Sequence, residues 1–254
     1  MTTADTAERR PEMSDPTDAD KDRLAWWPAA RERGADREPL SRDQIVAAAI
    51  NLVDAEGLEA LSMRRLGQKL GAGATSLYWH VKNKDELLDL VLDQVIGEVP
   101  LDDDPNLPWR ERAAHLVRGL QAVLRRHRHI AVLFGSRLSF GPNALAGMDY
   151  LIGIFRSAGF EGAVLVLAYQ TLLGYASGFA VLESRPVTGQ GVEGRSVQEV
   201  RAMTAGMLAS VPARRYPNLA TLPSAVADLT VDDQFEYGLT RLLDGMAADL
   251  ARSR

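Results

Sequence analysis

Helical spacing of apolar residues, repeated segment after segment with no competing alternation, constrains this chain more than any other feature. Ile45, Ala48, Ala49, Leu52 and Val53 fall at i, i+3, i+4, i+7 and i+8, a stripe that an α-helix gathers onto one face. Ahead of it Ser41 and Gln44 form a capping box, each side chain answering an orphan backbone N–H, and Gly57 behind it can supply a left-handed C-terminal cap. A second helix is expected from Ser62 as N-cap, through Leu66 and Leu70, to Gly71. A third, very short, follows Thr75 or Ser76 as cap and runs through His80, and a fourth covers Lys84 to about Val99 with Leu87, Leu88, Val91, Val95 and Ile96 inward. Pro108 suits the first position of the next helix, which carries Trp109, Ala113, Leu116, Val117, Leu120 and Leu124 on one face. Further helices are expected from Pro142 to Gly159, from about Glu161 to Glu183, from a Ser196–Glu199 capping box to Pro212, and from about Asp232. No period-2 strand of useful length and no internal repeat interrupts the series. The expected fold is all-α.

The 254 residues exceed the roughly 100–200 of one typical domain, and composition sets residues 1–38 apart from the helical remainder. The first part is rich in Asp, Glu, Arg, Pro and Ala without a sustained period, so it reads as a disordered tail. Within it Arg23, Arg31, Arg33 and Arg37 accompany Trp26, Trp27 and Pro28, which fits a solvated linker or an arm reaching into a DNA minor groove. The acidic run from Asp5 to Asp22 has no apolar core and does not read as a signal peptide. Cysteine is absent, which excludes disulfides, a thiolate nucleophile and Cys-ligated metal, and suits a reducing cytoplasm. The stretch from Gly162 to Leu182 is long enough to cross a bilayer. Gln170, Thr171, Ser177 and interior glycines dilute it, and no Lys or Arg flanks it, so a bundle or subunit-contact helix is expected instead of a membrane span.

Net charge is -5, which argues against a polyanionic partner for the chain as a whole. Locally the balance reverses. Between Ser62 and Lys84 stand Arg64, Arg65, Lys69, Lys82 and Lys84, and no acid. Neutralising phosphates drives much of DNA affinity, so a local patch outweighs the overall sum. That cationic run coincides with helix, tight turn through Gly71 to Ala74, and short helix, the arrangement that sets a reading helix in the major groove. Thr75, Ser76, Tyr78, Trp79 and His80 offer donors to phosphates or base edges. Leu77 is a core plug. Tyr78, Trp79 and His80 are consecutive and lie about 100° apart around a helix, so at least one is exposed.

The run Leu77-Tyr78-Trp79-His80-Val81-Lys82-Asn83-Lys84-Asp85-Glu86-Leu87-Leu88, preceded by Ser62-Met63-Arg64-Arg65-Leu66-Gly67-Gln68-Lys69-Leu70-Gly71, resembles the DNA-binding signature of the tetracycline-repressor (TetR) family of bacterial transcriptional regulators. The resemblance is specific from about Ser41 to Ile96. The closing run Phe235-Glu236-Tyr237-Gly238-Leu239 with Leu242-Leu243-Asp244-Gly245 resembles the regulatory domain of the tetracycline-repressor class. It implies a three-helix DNA-binding domain over 39–100 and a larger helical effector-binding and dimerisation domain over 101–254. Arg64, Thr75, Ser76, Tyr78, Trp79, His80 and Lys84 match positions that contact double-stranded operator DNA, with Lys82 beside them. Ala74 departs from a slot that often holds a base-reading residue, so the operator should differ. The family is homodimeric through its last long helices. This assigns the apolar helix from Gly162 to Leu182, together with the stripe Phe235, Leu239, Leu242, Leu243 and Met246, to a four-helix subunit interface, with half-sites about 34–36 Å apart.

The resemblance further implies that a small apolar or amphipathic effector, bound in the C-terminal domain, releases DNA. Leu133, Phe134, Leu138, Phe155, Leu165, Tyr169, Leu172, Leu173 and Tyr175 are candidates for its pocket, apolar with few polar anchors as such sites usually are, and Glu183 falls at an acidic position of it. Pro100 and Phe134 stand where tetracycline binders carry histidines, which argues against a magnesium–tetracycline ligand. No cofactor is expected. His127 and His129 diverge on a helix among arginines and read as a solvated helix end, not a metal site. No phosphate-cradling loop, HExxH or carboxylate pair accompanies a nucleophile, so catalysis is not expected. A sequence-tolerant architectural DNA binder and, less well supported, a helical enzyme with a basic groove are the rival readings.

Overall fold

In the computed structural model, residues 40–101, 104–137, 139–184, 195 and 197–252 are described. The tail 1–38, Leu138 and Ser196, with the capping box proposed there, lie outside them. So does most of the Ser184–Arg195 segment. The described chain is helical, with no strand among its residues. Helix α1 (Arg42–Glu56) begins at the expected box: the Gln44 N–H donates to Ser41 Oγ and the Ser41 N–H donates to Gln44 Oε1. Its end differs from expectation. Gly57 has φ +85° but ψ 166°, an extended glycine conformation and not a left-handed cap, and it leads into a short 3-10 turn, Leu58–Ala60.

Helix α2 (Met63–Lys69) is capped by Ser62, whose hydroxyl accepts from the Arg65 N–H. It turns through Gly71, at φ +62°, into α3 (Ala74–Tyr78). The N-cap of α3 is Gly73, with no side-chain cap bond. Thr75 and Ser76 thus sit inside the helix instead of closing its end. Their hydroxyls face outward. Gly67 is required at this corner, because a Cβ there would lie 2.8 Å from the Ala72 carbonyl oxygen and 3.2 Å from the Ala74 nitrogen. The Ala72 N–H donates to the Gly67 carbonyl across the same gap.

Asn83 caps α4 (Lys84–Ile96), accepting from the Glu86 N–H, while the Glu86 carboxylate accepts from the Lys82 N–H. This helix is apolar on most sides: Leu87, Leu88, Leu90, Val91, Leu92 and Val95 are all buried. It packs on α1 and also on α5 (Trp109–Arg126), α6 (Arg128–Ser136) and α7 (Pro142–Ala158). Pro142 is the first residue of α7, as its missing N–H allows. Val123, Ile130 and Leu133 from the following part of the chain join the same core as α1 to α4.

The rest of the fold is built around α8 (Gly162–Ser184), which packs on α5, α6, α7 and α11 (Val231–Arg252). Two aromatic groups fix that assembly. Trp109, Phe155 and Phe160 pack with centroids 5.1–5.9 Å apart, and Tyr175, Phe179 and Phe235 with centroids 5.2–5.6 Å apart. Helices α9 (Val197–Ala209) and α10 (Pro223–Asp228) pack mainly on each other.

Two buried polar residues tie α4 and α1 to the later helices. Asp93 is 3% exposed, and its carboxylate accepts from the Ala144 N–H at 2.9 Å, from Asn143 Nδ2 at 3.1 Å and from the Asn143 N–H at 3.3 Å. It therefore caps the start of α7 from a neighbouring helix. Burial raises its pKa above the ordinary carboxyl value, against the lowering effect of those hydrogen bonds. His127 corrects the sequence reading. It is buried where α5 meets α6, with Nδ1 2.7 Å from Asp54 and Nε2 3.1 Å from Glu98. Both carboxylates are remote in sequence, so no local pattern announced them. Replacing Asp93 by Ala would strand the α7 N–H groups, at a cost of about 2 kcal/mol. A melting temperature lower by roughly 4–8 °C is expected for a chain of this size, read by circular dichroism against wild type.

Candidate nucleic-acid interface and effector cavity

The basic run forms one outer surface. Leu66 and Leu77 are fully buried and hold α2 and α3 on the core that they share with α1 and α4. The rest of the short helix then faces outward: Thr75 and Ser76 are exposed, Tyr78 is 47% exposed and Trp79 71%. His80 is half-buried, and its carbonyl accepts from the Arg42 guanidinium. Arg64, Lys69, Lys82 and Lys84 are exposed around this rim. Arg65 pairs instead with Glu56, an acid from the end of α1 that a window starting at Ser62 did not include. The arrangement presents hydroxyls, a phenol and an indole N–H on a thin helix, flanked by cations. It suits a polyanionic duplex with a groove wide enough to admit a helix.

Behind that module lies a cavity of about 620 Å³, within the range of small-molecule sites. Its walls come from α4 (Leu92, Ile96) and Gly97 just after it, α5 (Leu116, Val117, Leu120), α7 (Asn143, Gly147, Met148, Leu151) and α8 (Tyr169, Leu172, Leu173, Ser177). Phe134, Arg137, Ser139 and Phe140 close one side. Burial alone raises the pKa of the Tyr169 phenol, which stays protonated.

Of the pocket residues expected from sequence, Phe134, Tyr169, Leu172 and Leu173 line this cavity. The others stand elsewhere, for reasons of packing. Leu133 points into the core shared with α1 to α4. Phe155 is sealed between Trp109 and Phe160, and Leu165 packs on the same core. Tyr175 stacks on Phe235 and donates its hydroxyl to the Phe235 carbonyl at 2.8 Å. Glu183 binds Arg125 at 2.7 Å beside a separate cavity of about 350 Å³. Leu138 is among the residues not described. The polar lining, Arg137, Ser139, Asn143, Gln170 and Ser177, was not anticipated: these residues lie on three separate segments, and none belongs to a local motif.

Of the expected four-helix interface, the stripe on the last helix needs correction. Phe235, Leu239, Leu243 and Met246 are 1%, 0%, 4% and 8% exposed, sealed in the core of their own chain, with Leu242 half-buried beside them. An amphipathic stripe says that a face is covered, not which chain covers it. The bare apolar face belongs to α8, where Val164, Leu167 and Leu182 are 46%, 59% and 58% exposed. Thr171, Gly174 and Gly178 continue the same stripe, and Tyr237 of α11 is 72% exposed. Gly162–Ser184 passes a membrane test on length and composition. Yet its other face is enclosed by α5, α6, α7 and α11.

A helix-turn-helix surface joined to an apolar cavity defines a DNA-binding regulator with a small-molecule chamber, and comparison with known proteins agrees. Residues 45–91 match the description "Bacterial regulatory proteins, tetR family", and residues 101–250 match "Tetracyclin repressor-like, C-terminal domain". The chain belongs to the TetR family, and it is a ligand-responsive DNA-binding transcriptional regulator. An HTH-type transcriptional regulator of Saccharopolyspora erythraea is 35% identical over 88% of this chain and 92% of its own length. The HTH-type transcriptional repressor DrrR1 of Streptomyces coeruleorubidus is 34% identical over 91% of this chain and 86% of its own length. Apo ActR of Streptomyces coelicolor superposes with a TM-score of 0.76 at 35% identity, covering 86% of this chain and 100% of ActR.

Lys84→Ala should weaken binding to every duplex and flatten the logarithmic salt dependence by about one unit, measured by anisotropy titrations at several salt concentrations. Substituting Thr75 or Tyr78 should instead change the preference among related duplexes by about 1–3 kcal/mol per lost base contact. Competition binding with single-base-pair variants reads that difference directly.

Proposed function

We propose that this protein is a homodimeric repressor that holds a palindromic operator through two copies of α3 and lets go when a small amphipathic molecule fills the 620 Å³ cavity. One observation carries the reading. The wall of the cavity and the support of the reading helix are the same helix. Leu92 and Ile96 toward the end of α4, with Gly97 just after it, line the chamber, while its first residue, Lys84, is exposed among the cations that follow α3 in the chain. A ligand that displaces the far end of a rigid helix moves the near end too, and it shifts DNA affinity by its preference between the two positions.

Relatives support both halves. ActR has been solved in complex with actinorhodin, at a TM-score of 0.74 and 36% identity over 84% of this chain and 99% of that one. Mycobacterium smegmatis BioQ has been solved with its double-stranded DNA operator, at a TM-score of 0.57 and 29% identity over 82% of this chain. The protein acts in the cytoplasm, where its DNA lies, without a catalytic step. Its second copy seats on the bare stripe of α8, flanked by Tyr237 of α11. Gly174 and Gly178 let two helices approach closely there, and burying Leu167 and Leu182 supplies the driving force.

Genomic footprinting of the full chain tests the reading: discrete palindromic sites, lost on adding the cognate small molecule, are expected. Uniform coverage of all duplexes would assign the protein to the architectural class instead. Leu167→Glu, at an exposed position, should leave helicity intact and give monomers that bind operator at least tenfold more weakly. Sedimentation equilibrium and operator titration read the two effects separately.

A further inference from the structure

Arg137 stands between two sites. It is one of the residues that line the cavity, yet the described bonds of its side chain go to α4: Nε donates to Asp89 Oδ1 at 2.9 Å, Nη1 to Asp85 Oδ1 at 3.2 Å and Nη2 to the Asp85 carbonyl at 3.2 Å. Asp85 and Asp89 lie in the first turns of the helix that begins at Lys84. The guanidinium is thus a fastener between the chamber and the segment that supports the reader. Its two carboxylate partners are solvent-facing, with side chains 80% and 40% exposed, whereas the Arg137 side chain is 24% exposed. Ion pairs of that exposure are weak and exchangeable. Two residues on, Ser139 Oγ is buried on the cavity wall without a hydrogen-bond partner, an arrangement that costs free energy until a polar group meets it. The rest of the lining is mainly apolar, with Asn143, Tyr169, Gln170 and Ser177 as its other polar residues.

We propose that the effector is an anionic amphiphile, an apolar body bearing one carboxylate or comparably acidic group, and that this group takes Arg137 from Asp85 and Asp89. The inference rests on the reading of the cavity as the effector site and specifies what enters it. A fork of guanidinium N–H groups fits a carboxylate in two-point geometry, and the Ser139 hydroxyl supplies a further donor beside it. The apolar body lies between Leu116, Leu120, Phe134 and Phe140, where the area removed from water provides most of the affinity. The pair Asp85 and Asp89 loses its cation at the same step, and the first turns of α4 come free of the segment after α6. An uncharged molecule of the same shape fills the cavity but leaves the fastener closed. Binding and release are linked: whatever factor the acid takes from operator affinity, operator takes from the affinity for acid.

The test uses the full-length protein, anthraquinone-2-carboxylic acid and its methyl ester, with calorimetry for binding and anisotropy for operator release. Wild type is expected to bind the acid at least tenfold more tightly than the ester and to lose operator to the acid. In Arg137→Met that preference should collapse to within threefold. In the double variant Asp85→Asn, Asp89→Asn, altered only at solvent-facing positions, the acid should bind severalfold more tightly because Arg137 is no longer shared. Equal binding and equal operator release by acid and ester would overturn the role of Arg137 while leaving the cavity as the effector site. Failure of both compounds to bind would overturn the assigned ligand class. Acid binding that is preferred but unchanged in both variants would overturn the exchange. Loss of footprint discrimination by unliganded wild type would count against the regulator reading itself, independently of either compound.

Discussion

The structure depends on α4 being held from two sides as a single stiff rod. Its apolar residues face both the helix-turn-helix module and the effector domain, and no stripe of it is left to slide freely. Asp93 supplies direction to that packing. A carboxylate at the start of α7 compensates the partial positive charge of a helix N-terminus and three N–H donors at once. Burial opposes the charge, and the hydrogen bonds keep it tolerable. Apolar contacts alone would fix how closely α4 and α7 approach. The buried carboxylate fixes their register, since a shift of one residue would leave a charge and several N–H groups unanswered. His127 does the same service between α1, the end of α4 and the α5–α6 junction.

That division of labour explains what could be read from the residues alone. Caps and turns act within three or four positions, so Ser41 with Gln44, Ser62, Asn83 and Pro142 announce themselves, as does the cationic run around a glycine-bearing turn. The inward stripes were equally visible. What they face was not. Phe235, Leu239 and Leu243 have the spacing of a buried face whether an adjacent helix of the same chain or a second subunit covers it, and only the packing of Tyr175 and Phe179 on Phe235 decides. In α8 the difficulty is reversed: a helix apolar all round has no preferred face in its sequence, so its bare side could not be told from its covered one.

The cavity was the least legible feature, for a related reason. Its apolar lining uses the same residue types as the core, and Phe155 and Phe134 are indistinguishable until their neighbours are known. Its polar lining draws on separate segments. Arg137 follows the end of α6 and meets Asp85 and Asp89, some fifty positions earlier in the chain. Such a group carries no spacing rule, because its geometry is made by the fold and by no single element. His127 shows the same blindness, with partners in Asp54 and Glu98 that no window around it contains.

The narrow clearance at Gly67 has a consequence for how such a protein can diverge. Backbone atoms alone set the separation between α2 and α3, so the tilt of the reader is fixed by a position that admits no side chain. New sequence preferences must therefore arise by exchanging groups on the outer rim, at Thr75, Ser76 or Tyr78, on an unaltered frame. A lineage can then drift among target sites without rebuilding the corner that presents them.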